Sequence, residues 1–549
     1  MDRTIDRSME ARRMDAGSTP EPGSSRQDTR PEQRAAVTMT AARTVAGLTM
    51  VSRILGLFRE FVLASYFGTS TAVSAFRLAF MVPNLARRLF GEGALSAALI
   101  PVLTETLSAR GEAPSQRLIG ALTVRVGLLL AGVVILAEIG LVIARSYTSD
   151  PVFDFAVVLL PYMPLICLVA LNCGVLQVRR QFALPAALPV LLNVGMIGAI
   201  YLGDRVWHAN QTQLLYFASG GVLVSVALQF AITAVAMHRQ SLPPRFTGPA
   251  PSDALNKVST MMGGAAIGLS AVQINSLFDY VIAYTFVEVD GERVGPAVLA
   301  TAHFLYQLPL GVFGIAIATA IFPSLSLLAT RRDEPGFLQE LGRGLRTSMI
   351  IAFPSTVGLL FIADPLVETL FEHGEFTSDS TTRVAGALMF YALGLPAYFA
   401  NHVLTRAYYA HQDSRKPARI AVITVAINVV LNLILVQSME ESGLALATAI
   451  CASLQTLALW RYLPVKHSRG GFLAPIIGLV RPLLATGVMT AALLSLYYIP
   501  FAYNILLSAG WTATVLMLLT GVITYLVAAR IFCAAEFKML TGRNQQKTM

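Results

Sequence analysis

Residues 118–144 read LIGALTVRVGLLLAGVVILAEIGLVIA, an apolar run interrupted only by Arg125 and Glu138 among ionisable residues. As a helix it is long enough to cross about 30 Å of hydrocarbon. Comparable runs recur on either side of it. About fourteen are found, at 40–66, 70–107, 118–144, 152–177, 184–203, 212–237, 258–286, 295–329, 345–363, 383–410, 418–437, 443–462, 474–498 and 503–532. The whole chain of 549 residues is 55% hydrophobic and 13% charged, with mean hydropathy +0.62. Soluble proteins carry about 25% charged residues. So much apolar surface cannot be hidden in soluble cores, and a string of soluble domains is excluded. The composition predicts an all-α polytopic membrane protein.

The second and eighth runs are longer than one span needs. Each holds internal prolines, Pro83 and Pro101 in one, Pro309 and Pro323 in the other. A proline removes a backbone donor and clashes with the preceding turn, so these spans are expected to kink or break.

Loop charge gives the orientation. Alternate loops hold about 21 basic residues, among them Arg179, Arg180, Arg331, Arg332, Arg415 and Lys416, and the opposite loops hold about four. The opposite loops carry the acids instead, such as Glu288, Asp290, Glu292, Glu372 and Glu375. Basic loops stay on the cytoplasmic side. Both termini are therefore expected in the cytoplasm, in a multi-pass protein of the cytoplasmic membrane. The net charge of +9 is explained by this asymmetry rather than by nucleic-acid binding. Residues 1–38 are polar, with no apolar run; they predict a disordered cytoplasmic tail and no secretory signal peptide. Residues 534–549 predict a second cytoplasmic tail. Connections stay within about 20 residues, which leaves no room for a soluble catalytic domain. No P-loop, nucleophile elbow or zinc motif appears, so a transporter without cofactor is expected rather than an enzyme. Cys167, Cys173, Cys451 and Cys533 lie in apolar runs and read as packing residues.

A weak internal repeat joins the two halves. Leu57–Val62 resembles Leu277–Ile282, and Phe90-Gly91 followed by Pro101 resembles Phe313-Gly314 followed by Pro323. Spans one to six then match spans seven to twelve. Two such halves share an orientation and suit alternating access to a site between them. The expected division is 39–240, 241–465 and a terminal pair of spans within 466–533.

Charge inside the spans is uneven. The first two hold Arg43, Arg53, Arg59, Glu60, Arg77, Arg87, Arg88, Glu92 and Glu105, whereas most others hold one ionisable residue or none. Intramembrane charges are costly and face a cavity or a partner. Arg53, Arg59, Arg87 and Arg88 outnumber the nearby Glu60 and Glu92. An excess of guanidinium in a low-dielectric hollow calls for an anion, and guanidinium matches phosphate in a bidentate way. The expected cargo carries a phosphate-bearing head. Asp279, a lone acid in the seventh span, is read as a coupling site for a proton or cation or as a partner for an arginine of the first half. His303 is read as a core histidine with a possible titrating role, and Asn193, Asn428 and Asn432 as interhelical hydrogen-bonding groups.

Several stretches together resemble the MurJ/MviN lipid II flippase family: Ser52-Arg53-Ile54-Leu55-Gly56-Leu57-Phe58-Arg59-Glu60, Pro83 to Ala94, Leu188 to Asn193, Gln307 to Ala316 with Phe322 to Ser326, Arg406 to Ala410 with Gln412-Asp413, and Asn428 to Asn432. The likeness runs from about residue 40 onward. It implies fourteen helices in the multidrug/oligosaccharidyl-lipid/polysaccharide exporter superfamily, as two pseudo-symmetric six-helix lobes around a basic cavity. Two further helices would form a groove for the polyprenyl tail. The implied activity is moving lipid II, an undecaprenyl-pyrophosphate-linked peptidoglycan precursor, to the outer leaflet. The implied substrate-binding residues are Arg53, Arg59, Arg87, Arg88 and Glu92; Glu60, Arg77, Asp279 and His303 are read from the residues themselves as candidates for coupling or gating. Membrane lipids and cell-wall synthesis enzymes are the implied neighbours of a monomer. A different polyprenyl-linked glycan, of O-antigen type, is the alternative cargo. Two family motifs are altered: Ser74-Ala75-Phe76 stands for Asp-Ala-Phe, and Ala302-His303-Phe304 for Ala-Asp-Arg.

Overall fold

In lipid every backbone polar group must be satisfied within the protein, so an apolar spanning segment becomes a helix. The computed structural model describes residues 31–89, 95–465, 478–496, 498–499 and 511–534, and within these the side chains of all but 31–43, 96–97 and 263–272. The described chain is built from helices. The first half comprises α1 (Pro31–Phe67), α2 (Thr71–Ala86), α3 (Leu95–Arg110), α4 (Glu112–Arg145), α5 (Pro151–Leu159), α6 (Tyr162–Val178), α7 (Ala183–Trp207) and α8 (Gln211–Arg239). The second half comprises α9 (Ser252–Phe286), α10 (Gly295–Pro309), α11 (Ile315–Arg331), α12 (Glu334–Phe371), α13 (Ser378–Leu393), α14 (Leu395–Ala410) and α15 (Arg415–Arg461). Two more follow, α16 (Val480–Ser495) and α17 (Trp511–Phe532).

Every expected apolar run is helical over its described part. Eight stretches are long and apolar enough to cross a membrane by themselves, nine if α13 and α14, bent by 43°, count as one span. The others, in α1 to α3, α9, the second limb of α15 and α16, are helices that do not meet both criteria. One boundary moves. Helix α1 starts at Pro31, so residues 31–38 are helical rather than part of a disordered tail. Proline suits a first helical turn, and the residues after it have good helix propensity. The rest of that predicted tail, residues 1–30, lies outside the described residues, as does 535–549.

The proline-bearing spans break as predicted, and in matching places. Helix α2, with Pro83 inside, runs into a π-helical turn at Arg87–Leu89. Helix α10 ends at Pro309 and passes through the π-helical turn Leu310–Gly314 into α11. The second turn holds Phe313-Gly314, which the repeat pairs with Phe90-Gly91; those two follow directly on the first turn and lie outside the described residues. In α15 the backbone leaves helical geometry at Glu440 (φ 50°, ψ −133°), where two predicted spans meet. Arg383 clamps the bend by binding the carboxylates of both Glu440 and Glu441.

Each half has its own apolar core. Phe67, Phe76, Phe155, Tyr162 and Ile200 belong to the first. Phe337, Phe371, Phe399, Tyr408 and Leu444 belong to the second. The outer face of α4 is left for lipid, with Leu128, Leu129 and Leu136 at least 63% exposed.

The halves meet firmly at the acidic-loop end. The Glu375 N–H donates to Ser65 O (2.9 Å), and the Thr69 and Ser380 hydroxyls lie 2.8 Å apart. The Thr71 N–H donates to Glu292 Oε2 (2.6 Å), and the Arg293 N–H donates to Thr71 Oγ1 (2.7 Å). At the basic-loop end, Arg110 binds Asp253 (2.6 Å) and Lys257 binds Glu105 (2.7 Å). The Arg110 guanidinium holds the exposed Asp253 carboxyl below the usual carboxylate range.

Helices α16 and α17 pack on α12, through Ile350 and Ile362 against Met489, Leu493, Met517 and Tyr525. Pro354 inside α12 has no N–H, so the Ile350 carbonyl one turn earlier loses its helical partner. The Tyr525 hydroxyl donates to that carbonyl. Tyr525→Phe is expected to destabilise the protein by about 1–3 kcal/mol, the cost of a buried carbonyl left unmet. A melting temperature in detergent equal to that of the parent would show that Tyr525 is not the anchor.

Candidate functional site

Between the halves lies a cavity of about 1600 Å³. Helices α1, α2, α6 and α7 line one side, and α9, α10, α14 and α15 the other. It extends toward the basic-loop end, where Gln177, Pro185, Tyr409 and Ala421 border it.

The centre of the first-half wall is an ion cluster. Arg59 and Glu60 are consecutive on α1, and Arg77 comes from α2. Glu60, 4% exposed, contacts Arg59 through one oxygen (2.6 Å) and Arg77 through the other (2.8 Å). One carboxylate therefore serves two guanidiniums. Arg59 also donates from Nη1 to Asn193 Oδ1 on α7 (3.1 Å), while Asn193 Nδ2 donates to Ser52 O (3.2 Å). Asn193 thus fixes both the α1–α7 packing and the direction of Arg59. The buried Nε–H groups of Arg59 and Arg77 have no acceptor among the described residues.

The remaining predicted residues are distributed around this cluster. Arg87 and Arg88 sit on the π-helical turn after α2, with Arg87 donating to Asn84 Oδ1 (2.8 Å) and Arg88 to Gln273 Oε1 of α9 (3.3 Å). Glu92 lies outside the described residues. Arg53 lines the cavity and also spans the two halves, donating from Nη2 to the Gly311 carbonyl in the second π-helical turn (3.2 Å). A Cβ at Gly311 would come within 2.6 Å of the Arg53 guanidinium. Gly311→Ala should push that flexible side chain aside without disturbing the core. Its expected effect on anion binding in the cavity is that of Arg53→Ala, with an unchanged melting temperature; wild-type binding by both variants would remove Arg53 from the site.

Among the described residues Asp279 is paired with no arginine. It accepts hydrogen bonds from Asn432 Nδ2 (2.6 Å) and Asn275 Nδ2 (3.2 Å), and Asn432 also donates to Asn428 Oδ1 (2.9 Å). Of the two sequence readings, the ion pair across the halves is not seen among the described residues; Asp279 is bound to Asn432 of α15 and Asn275 of its own helix and lines the cavity. His303 lies 3.0 Å from Gln307 and edge-on to Tyr306 and Tyr391. The two altered family motifs have defined places. The Ala297 N–H in the first turn of α10 donates to Ser74 Oγ (3.3 Å), so Ser74 caps a helix of the opposite half. Phe304 lies against Gly56 of α1.

Among the described residues lining the cavity are six arginines (Arg53, Arg59, Arg77, Arg87, Arg88 and Arg406) and two carboxylates, Glu60 and Asp279. Such a wall favours a polyanionic group, and planar guanidinium groups fit a pyrophosphate. Sequence reasoning missed Asn193 as the residue that aims Arg59. It also missed the cavity face of α14, whose signal is discussed below.

A helical membrane bundle whose two halves enclose a charged cavity has the layout of a membrane transporter. Solved structures share the fold. A MurJ lipid II flippase in an inward closed conformation superposes with a TM-score of 0.74 at 24% identity, covering 89% of this chain and 98% of that one. An inward-facing multidrug-resistance MATE transporter of the MOP superfamily gives 0.61 at 15% identity, covering 81% and 98%. The family model described as lipid II flippase MurJ matches residues 63–509. The lipid II flippase MurJ of Burkholderia cenocepacia is 32% identical over 442 residues, 76% of this chain and 82% of that protein. A probable lipid II flippase MurJ of Rhizobium meliloti is 31% identical over 465 residues, covering 82% and 85%. The chain belongs to the MurJ lipid II flippase family.

Proposed function

We propose that this protein translocates lipid II from the inner to the outer leaflet of the cytoplasmic membrane by alternating access. One observation carries the reading: a cavity between the two halves whose described lining holds six arginines and two carboxylates. The pyrophosphate binds Arg59, Arg77, Arg87 and Arg88, Arg53 links binding to the opposite half, and the polyprenyl tail stays in lipid along α16 and α17. Glu60 spaces and orients the two arginines it holds. Asp279 and His303 are assigned to coupling or gating, and Glu92 belongs with the substrate-binding arginines. The acidic-loop end faces outward and both termini face the cytoplasm, in keeping with loop charge. The working units are residues 39–240, 241–465 and the pair within 466–533.

An inside-negative potential favours outward movement of an anionic head by about 2.3 kcal/mol per charge per 100 mV. That drives transport without nucleotide and without any covalent step on the protein, which acts as a carrier and not as an enzyme. The protein works as a monomer that hands its cargo to wall-building enzymes. Relatives named as lipid II flippases favour this cargo over an O-antigen unit. The test is leaflet exposure of lipid II in cells whose only flippase is this chain. Exposure at wild-type level is expected; growth arrest with lipid II held in the inner leaflet would overturn the proposal.

A further inference from the structure

The fourth and tenth spans occupy matching places in the two halves, and both are broken near the middle: α5 and α6 in the first, α13 and α14 in the second. Their second limbs both line the cavity, with lining residues at the same spacing. Helix α6 presents Tyr162, Ile166, Val169, Ala170 and Cys173. Helix α14 presents Tyr398, His402, Thr405, Arg406 and Tyr409. The spacing is that of one helix face in each case. After the tyrosine, the first stripe is apolar until Gln177 at the basic-loop end, whereas the second, with Asn401 beside it, is polar and aromatic throughout.

The α14 stripe is not used up by the fold. Tyr398 Oη is buried and has no hydrogen-bond partner among the described residues. His402 and Tyr409 are open to the cavity. Arg406 is occupied, its guanidinium lying over the Phe322 ring at 5.6 Å. What remains is a row of neutral donors and acceptors with aromatic faces. An unmet buried hydroxyl is costly and calls for a partner. The cavity is also much larger than a diphosphate requires.

We propose that this face of α14 is a second subsite, which binds the uncharged sugar rings of the cargo while the arginines of the opposite half hold its pyrophosphate. Sugar hydroxyls meet Tyr398, His402 and Thr405, and a ring face stacks on Tyr409. The inference rests on the proposed function and adds to it the part of the cargo that is recognised by chemistry other than charge. Division of the ligand between the halves also ties them together while the head is bound.

The experiment measures binding of three lipids to purified protein in nanodiscs by native mass spectrometry: undecaprenyl pyrophosphate, the same lipid bearing the disaccharide without peptide, and lipid II. The wild type should prefer the disaccharide-bearing lipid to the bare one by about tenfold or more, from three neutral hydrogen bonds. The triple variant Tyr398→Phe/His402→Leu/Thr405→Val should lose that preference and bind the bare lipid as before. Tyr398→Phe alone removes one oxygen from a cavity wall and should lose a few-fold of it, which guards against a folding defect in the triple variant. A preference that survives in both variants, or that appears only with the peptide, overturns the subsite. Failure of the wild type to bind even the bare pyrophosphate overturns the proposed function itself.

Discussion

Arg59→Ala is expected to abolish lipid II exposure in the outer leaflet, by a factor of about 10² to 10⁴, with the protein still inserted and folded. The estimate takes two charge-assisted hydrogen bonds to the pyrophosphate, each about 1.5–3 kcal/mol. Three contacts change together. Glu60 keeps Arg77 alone, Asn193 Oδ1 loses its donor, and the cavity loses one of its buried charges. Arg59→Lys preserves charge but not the planar fork, so partial recovery is expected. Arg88→Ala should act in the same direction. Folding is checked by melting temperature and expression, transport by the leaflet assay. Normal transport by folded Arg59→Ala and Arg88→Ala would end the arginine-wall mechanism.

The second large effect is expected at the outer junction. Gly68 and Gly374 both have left-handed backbones, at φ 56° and 64°, and each lies against a backbone carbonyl of the other half. A Cβ at Gly68 would be 2.4 Å from Glu375 O, and one at Gly374 would be 2.2 Å from Ser65 O. Backbone cannot swing aside as a side chain can. The left-handed conformation adds about 1–2 kcal/mol for any residue with a Cβ. Gly374→Ala therefore separates the halves at this end and shifts the conformational equilibrium toward the outward-open form. A bias of a few kcal/mol changes the population ratio by about 10² or more. The measurement is disulfide formation between cysteines introduced by Thr69→Cys and Ser380→Cys, whose native hydroxyls are 2.8 Å apart. Cross-linking should be fast in the parent and largely lost with Gly374→Ala, and a cysteine at position 69 should become open to an impermeant maleimide. Equal cross-linking in both backgrounds would show that this junction does not gate the cavity.

Much of the architecture is legible in local sequence, because lipid imposes local rules. A run such as 118–144 has no stable form in hydrocarbon except a helix. Pro83 and Pro309 break their spans because the missing donor acts within one turn. The residues at risk in the site are legible too, since Arg53, Arg59, Arg77, Arg87 and Arg88 stand out as charges where charge is expensive. Their partners are less so. Asp279 could be placed in the membrane but not against Asn432, and Ser74 could be marked as an altered motif position but not as the cap of α10. The stripe on α14 becomes visible only when its spacing is laid over that of α6.

The sequence by itself determined the solvent, the helices, their breaks, their repeat and the wealth of arginine in the first two spans. Each of these follows from hydropathy, proline chemistry or composition over a turn or a span. Tertiary structure alone decided that one glutamate holds two arginines, that Arg53 reaches the Gly311 carbonyl of the other half, and that two glycines lie in the close junction of the halves at the acidic-loop end. Those arrangements arise where helices far apart in the chain come together, and neither helical periodicity nor hydropathy specifies which faces will meet.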